Sequence, residues 1–286
     1  MNYKNDPAFI KGYNQEALDI KEKAFGYHDA LYALGRYIKS LKSDDENYIK
    51  NQLAFFKERK ELKYLLIDLD NTIFDFTKAE LLSLKITFEK LKVEVKEEYI
   101  NTYLKINDSL WMALEKKEIN KSELSRLRFV KTFDILKLDP LKALEAEKIY
   151  NSELAKHPFY LDGTEAAIKE LSKKYQIFII TNGFSTIQRP RIRNSSLKDY
   201  ISGLYISEEI GHDKPSKAYF DYVLKDIGDE NKNHYLIVGD SVTSDIKGAL
   251  NMGIESVLIT KNPDPITFNL SSLAYLERAL TFIPFK

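Results

Sequence analysis

The 286-residue sequence contains no cysteine, which excludes disulfide bonds, thiol nucleophiles and thiolate metal sites. It also lacks an excess of charge, since Lys plus Arg and Asp plus Glu number 43 each, so nothing attracts it generally to nucleic acid or an anionic membrane. No apolar run approaches the roughly 18 residues of a membrane-spanning helix, and the N-terminus lacks the apolar core of a signal peptide. These absences predict a cytoplasmic protein with no nucleic acid polymer and no membrane among its partners.

The most informative segment that is present is an apolar run, residues 64–67, followed by Asp68, Asp70 and Thr72. The run predicts a buried strand, and the alternation of side chains along it would turn both carboxylates to the same side. Two adjacent acids repel each other, and a divalent cation between them is the solution expected at the end of a buried strand. An ordinary strand-to-turn exit is the alternative, because Asp and Asn are common turn formers.

Two further segments repeat this layout of a strand followed by small polar residues and supply groups suited to phosphate. The strand predicted over 175–180 is followed by Thr181 and Asn182, whose hydroxyl and amide can donate to phosphate oxygens. A short strand-like segment near 204–207 precedes Lys214, which lies at the entrance to a helix, where an anion is stabilised.

A fourth segment adds two more carboxylates, Asp240 and Asp245, after the strand predicted over 235–238. Strands alternate with helices through this half of the chain, which is typical of βαβ units and predicts an α/β fold with a doubly wound parallel sheet. All four polar segments follow the C-terminal ends of strands, where open α/β sheets bind their ligands.

Taken together, the four motifs resemble the signature motifs of the haloacid dehalogenase superfamily, over roughly residues 62–284. The motifs are Asp68-x-Asp70-x-Thr72, Thr181, Lys214 and Gly239-Asp240-x4-Asp245. The segments around them are similar to the YjjG branch of house-cleaning 5'-nucleotidases. The resemblance implies a Rossmann-like core with an inserted helical cap of the C1 type, and a phosphomonoester hydrolase with nucleoside monophosphates as substrates.

The same resemblance implies the catalytic roles. Asp68 is expected to attack the phosphorus and form an aspartyl-phosphate. Asp70 is expected to protonate the leaving group and then to activate the water that hydrolyses the intermediate. Thr181, Asn182 and Lys214 are expected to bind the substrate phosphate, and the charge of Lys214 is expected to compensate that of the nucleophile and the phosphate.

The resemblance also implies Mg2+ as the cofactor. Asp68, the main-chain carbonyl of Asp70 and Asp240 are expected to supply its oxygen ligands, which suit this hard cation. Asp245 completes the acidic set and is expected to orient Lys214 or a metal-bound water.

Between residues 76 and 157 the strand pattern disappears, and four successive helical segments predict the inserted cap. Thr77 and Glu80 have the spacing of a capping box for its first helix. In the resembling family such a cap closes over the substrate and selects the leaving group. Trp111 and Arg128 are the candidates for contact with a base or ribose, although bundle packing and solvation are the commoner fates of such residues.

The first sixty residues carry an apolar stripe at helical spacing, and a second capping signature near residue 43 predicts a helical hairpin. The expected domains are therefore this hairpin over 1–60, a catalytic core over 61–75 and 158–286, and the cap over 76–157. A homodimer through the N-terminal helices is one interpretation of the hairpin. The other is that it packs on the cap or core of its own chain.

Three alternatives to a nucleotidase remain open. A phosphatase or phosphomutase acting on sugar phosphates would retain every core residue named above, so only the cap and assays separate them. A haloacid dehalogenase would keep Asp68 as nucleophile but has no use for a proton-donating Asp70 or a magnesium site. An inactive scaffold is disfavoured because every catalytic position carries a competent side chain.

Overall fold

The computed structural model describes residues 61–261 and 268–281. The hairpin predicted over 1–60, and the dimer contact assigned to it, lie outside these residues. The described residues form two compact units. The core unit contains residues 61–73, Leu161–Asn182 and the described part of 199–281, and the helical unit contains Phe74–Tyr160 and Gly183–Lys198. The sequence-based domain boundaries placed Gly183–Lys198 with the core, and those boundaries remain a prediction.

A six-stranded parallel sheet forms the centre of the core unit. Its strands are β1 (Tyr64–Ile67), β2 (Gln176–Thr181), β3 (Gly203–Ile206), β4 (Tyr235–Gly239), β5 (Glu255–Ile259) and β6 (Phe268–Leu270). Their order in the sheet is β3-β2-β1-β4-β5-β6, so the chain winds outward in both directions from β1. This arrangement confirms the predicted α/β fold with a doubly wound sheet.

The strands are almost entirely apolar, as expected of parallel strands that are buried on both faces. The helices of the core unit are α5 (Thr164–Leu171), α7 (Ser207–Ile210), α8 (Lys217–Ile227), α9 (Lys247–Met252) and α10 (Leu276–Thr281). Helices α8 and α9 pack on one face of the sheet through a shared apolar cluster that includes Leu66, Ile180, Phe220, Val223, Ile237 and Met252. A π-helical turn over Val242–Ile246 precedes α9.

The helical unit consists of α1 (Phe76–Lys90), α2 (Glu97–Glu115), α3 (Lys121–Ile135), α4 (Ala143–Leu154) and α6 (Ser185–Arg193). The first four coincide with the predicted helical segments. Their interior is built from large aromatic side chains, among them Phe88, Tyr103, Phe129, Phe133 and Tyr150. None of the described helices is long and apolar enough to cross a membrane.

The start of α1 differs from the prediction. Asp75 is its N-cap, and the Asp75 carboxylate accepts a hydrogen bond from the main-chain nitrogen of Lys78 at 2.8 Å. The capping box predicted from Thr77 and Glu80 is therefore wrong. Glu80 is buried inside the bundle, where its carboxylate accepts a hydrogen bond from Asn107 Nδ2 at 3.0 Å.

Candidate active site

The first motif leaves the sheet at its central strand. Asp68 follows β1 directly and is buried, and its main-chain nitrogen donates to the carbonyl oxygen of Val238 on β4 at 2.8 Å. Asp70 is half-buried, and Asn71 has a φ of 57°, a left-handed conformation that Asn adopts more readily than most residues. This turn leads the chain away while both aspartates stay at the end of the strand. The Thr72 hydroxyl is buried with no hydrogen-bond partner among the described residues.

The second motif lies at the end of the neighbouring strand. Thr181 is the last residue of β2, which pairs with β1, and its side chain is buried. Asn182 follows it, and its side-chain amide is bound on both sides by the main chain of Lys214. The Lys214 nitrogen donates to Asn182 Oδ1 at 2.9 Å, and Asn182 Nδ2 donates to the Lys214 oxygen at 2.9 Å. The predicted contact of this side chain with substrate stays a prediction.

Lys214 lies at the centre of the cluster, with its side chain 1% exposed. Its ammonium donates to Asp68 Oδ1 and to Asp245 Oδ1, both at 2.6 Å, and to the carbonyl oxygen of Ile180 at 3.0 Å. An ammonium has three donors, so all of them are engaged. One buried cation is thus shared between two carboxylates that are far apart in the sequence.

The fourth motif places the remaining acids beside this lysine. Asp240 follows β4, and Asp245 lies in the π-helical turn with its side chain 1% exposed. The second carboxylate oxygen of Asp245 accepts a hydrogen bond from the main-chain nitrogen of Ser241 at 3.2 Å. Gly239 is required for this approach, because a Cβ at that position would lie 2.1 Å from Asp245 Oδ2. In the sequence, this glycine stands out only as part of the fourth motif.

Three of these acids are arranged as a cation site. Oxygen atoms of Asp68, Asp240 and Asp245 all lie within 4.8 Å of one another. A set of carboxylate oxygens is the donor chemistry of Mg2+ and Ca2+ rather than of softer metals. The residues present therefore fit the magnesium ion that the motifs imply.

Residues 65–259 match the family model of the haloacid dehalogenase-like hydrolases. This stretch includes the four motifs and most of the described sheet. The chain belongs to that family.

Known proteins are similar to most of this chain. The putative HAD-hydrolase YfnB of Bacillus subtilis is 34% identical over 205 residues, which are 72% of this chain and 86% of YfnB. The pyrimidine 5'-nucleotidase YjjG of Escherichia coli is 32% identical over 223 residues, which are 76% of this chain and 97% of YjjG. A crystal structure of YfnB bound to magnesium has a TM-score of 0.73 and 31% identity and covers 78% of this chain and 100% of its own.

The electrostatics of this haloacid dehalogenase-like hydrolase reflect a surplus of acid around one base. Burial raises the pKa of Asp68 well above its ordinary value; Lys214 lowers it, and Asp245 and Asp240 raise it. Burial and then Asp245 raise the pKa of Asp240 from 3.8 to about 7. Burial acts against the charge of Lys214, but Asp245 and Asp68 outweigh it and raise its pKa. Lys214 therefore stays charged, but its single positive charge does not balance the carboxylates around it.

The two cap candidates belong to the helical unit. Trp111 is half-buried in an apolar cluster, and its ring packs edge-on against Phe184 with 6.2 Å between centroids. Arg128 is 1% exposed: its guanidinium lies 4.6 Å from the Tyr150 ring centroid, and Nη2 donates to Asn151 Oδ1 at 2.6 Å. Both residues thus have packing contacts inside their own unit, and their contact with a substrate stays a prediction.

Proposed function

We propose that this chain is a Mg2+-dependent phosphomonoesterase that acts through an aspartyl-phosphate on Asp68 and takes nucleoside 5'-monophosphates as substrates. The observation that carries the proposal is the position of the Lys214 ammonium, 2.6 Å from both Asp68 and Asp245. A fixed positive charge beside a buried carboxylate is what an attack on a phosphate dianion requires. Without it, two unit charges of like sign about 4 Å apart would repel by about 4 kcal/mol at an effective dielectric constant near 20.

The first chemical step uses Asp68 as nucleophile. One of its carboxylate oxygens forms a bond to phosphorus while the ester bond between phosphorus and the leaving oxygen breaks. The Oδ1 atom of Asp68 already accepts from Lys214, so the carboxylate is held in a fixed orientation. Thr181, at the end of the adjacent strand, would donate its hydroxyl to a phosphoryl oxygen.

Asp70 moves the proton in both steps. In the first it gives its proton to the departing alkoxide, so that the leaving group departs as a neutral alcohol. In the second it takes a proton from a water molecule, whose oxygen attacks phosphorus as the bond to Asp68 breaks. This releases inorganic phosphate and returns Asp68 and Asp70 to their starting states.

Mg2+ would be held by carboxylate oxygens of Asp68 and Asp240 and by the main-chain oxygen of Asp70. When bound, it would supply positive charge against the phosphoryl oxygens. The raised pKa of Asp240 supports this assignment, because a partly buried carboxylate with a neighbouring acid favours either a proton or a cation. Lys214 supplies only one of the positive charges that the three acids call for.

The substrate class rests on relatives of this chain. YjjG of E. coli and PynA of Streptococcus pneumoniae, each 32% identical to this chain, are pyrimidine 5'-nucleotidases. We therefore propose pyrimidine nucleoside monophosphates as the first substrates to assay. A phosphatase of sugar phosphates would use the same core residues, so the leaving group is what an assay must distinguish.

The test is phosphate release from a panel of nucleoside monophosphates and sugar phosphates, with and without Mg2+. Asp68→Asn should lower kcat by roughly 10³-fold or more, since it removes the nucleophile. It should remain folded, because Lys214 keeps its bond to Asp245. Asp221→Asn, which changes a half-exposed carboxylate paired with Lys217, is the matched control and should keep full activity. Near-normal turnover by Asp68→Asn would rule out the covalent mechanism.

A further inference from the structure

The main chain of Lys214 lies in irregular structure between α7 and α8, where no strand or helix ladder fixes its position. Its amide nitrogen and its carbonyl oxygen are both hydrogen-bonded to the side chain of Asn182, 32 residues earlier. Both bonds are 2.9 Å long, within the normal range for amide groups. A single side chain thus binds both main-chain polar groups of one residue.

Asn182 is itself attached to the rigid part of the fold. It directly follows β2, which is hydrogen-bonded to β1 on one side and to β3 on the other. Strand β1 leads into Asp68. The side chain of Asn182 therefore ties the Lys214 loop to the strand that neighbours the proposed nucleophile.

The end of β2 also contacts the side-chain ammonium of Lys214. The carbonyl oxygen of Ile180, two residues before Asn182, accepts from the Lys214 ammonium at 3.0 Å. One strand end thus holds both the main chain and the charged group of Lys214. The remaining two donors of the ammonium point to Asp68 and Asp245.

We infer that Asn182 is a positioning residue that fixes the Lys214 ammonium beside Asp68. Both polar atoms of its amide bind the main chain of Lys214, so these two hydrogen bonds fix the orientation of the amide against the Lys214 loop. The inference rests on the proposed function, because the charge of Lys214 affects turnover only if Asp68 receives a phosphoryl group.

The expected effect of Asn182→Ala follows from this geometry. Both bonds to the loop are lost, while Asp245 still attracts the ammonium, so Lys214 shifts without leaving the site. A misplacement of about 1 Å at a reacting group costs on the order of 100-fold in rate. We expect kcat to fall by about 10- to 100-fold and KM to rise less, since a displaced charge still attracts phosphate in the ground state.

The decisive experiment is a double-mutant cycle on p-nitrophenyl phosphate with Asn182→Ala, Lys214→Ala and the double variant. If Asn182 acts through the ammonium, Asn182→Ala will change kcat by less than about twofold once Lys214 is already alanine. Equal losses in the two backgrounds, or no loss in the first, would overturn the inference. Asn251→Ala is the matched control, because Asn251 Nδ2 donates to the carbonyl oxygen of Pro215 at 3.1 Å and is exposed. It should keep kcat within twofold.

Two further measurements keep the inference testable whatever the activities are. Asn182→Asp has the same shape and keeps the acceptor for the Lys214 nitrogen, but it loses the donor to the Lys214 carbonyl oxygen. This variant replaces Asn182→Ala in the test if the alanine variant does not fold. A crystal structure of either variant gives the distance from Lys214 Nζ to Asp68 directly, and an unchanged distance contradicts the inference. A wild-type protein without Mg2+-dependent phosphate release would instead reject the proposed function, and the crystal structure would still decide the role of Asn182.

Discussion

Replacing Gly239 with alanine tests the geometry of the site without removing any of its functional groups. The added Cβ would lie 2.1 Å from Asp245 Oδ2 and 2.3 Å from its carboxyl carbon, far inside van der Waals contact. Gly239 ends β4, whose backbone is fixed in the sheet, so the carboxylate must give way. Asp245 then moves from its place 2.6 Å from the Lys214 ammonium.

The size of the effect follows from burial. Lys214 and Asp245 are each 1% exposed at the side chain, so water cannot replace the lost contact. Removing one partner of a buried ion pair costs about 3–5 kcal/mol. Lys214 keeps its contact with Asp68, and Asp245 is displaced rather than removed. We therefore expect the lower end of this range, a loss of about 3 kcal/mol in the free energy of unfolding. A shift of the ammonium by about 1 Å should also lower kcat by on the order of 100-fold.

Gly248→Ala provides the matched comparison. Its Cβ would lie 2.4 Å from the Phe220 ring in the apolar cluster, so it should destabilise by about 1–3 kcal/mol through overpacking. It contacts no proposed catalytic group, so the folded fraction should keep its kcat. Urea unfolding and p-nitrophenyl phosphate turnover measured on both variants separate the two effects. If Gly239→Ala keeps kcat within twofold of wild type, or if both variants lose kcat equally, the reasoning is refuted.

Three more predictions concern the acids and the cap. Asp70→Asn should lower kcat by about 100-fold or more. Its Mg2+ affinity, measured by calorimetry, should change little, because the proposed ligand is a main-chain oxygen. Loss of Mg2+ binding would contradict this assignment. Asp240 has a pKa of about 7, above its ordinary 3.8, so its contribution to stability is present below about pH 4 and is lost as pH rises through 7. Mg2+ should therefore bind more tightly and raise Tm more at pH 8 than at pH 6, and a Tm increase independent of pH would count against the assignment. If Trp111 contacts the base, Trp111→Ala should raise KM for nucleotides but not for p-nitrophenyl phosphate. Equal changes for both substrates would indicate packing alone, and they are expected for Leu114→Ala, because Leu114 packs against the same apolar cluster as Trp111.

The sheet could be predicted from the sequence because its signal is local. Strands β1 and β4 are short apolar runs that end at a polar residue, and this is the pattern of a buried parallel strand. Strand β6 has three residues, too few to show any period, and was not predicted. Helix α6 was also missed, since it contains Pro190 and three arginines and has no continuous apolar stripe. The order of the strands depends on contacts between distant segments and was not predicted.

The same difference between local and non-local signals separates the motif residues from the residues that hold them in position. Asp68 and Lys214 were predicted because each follows a strand-like segment and because the four motifs together resemble those of one family. Asn182 was assigned to substrate, because no local pattern reveals a hydrogen-bonded partner 32 residues away. Arg128 was expected in solvent or on a base, yet the structure buries it against Tyr150 and Asn151 of another helix. Such burial depends on helix packing, which a single helix does not encode.

A count of charge connects these observations to the proposed chemistry. Three carboxylates with oxygens within 4.8 Å of one another face one ammonium, which can balance only one of them. Burial raises the free energy of every unbalanced charge, and the raised pKa values of Asp68 and Asp240 are the result. Protonating these two carboxylates would remove the unbalanced charge but would also disable Asp68 as a nucleophile. A divalent cation would balance these charges while leaving Asp68 ionised. The surplus of acid that destabilises the protein without a cation is therefore also what makes a magnesium-dependent attack on phosphorus possible.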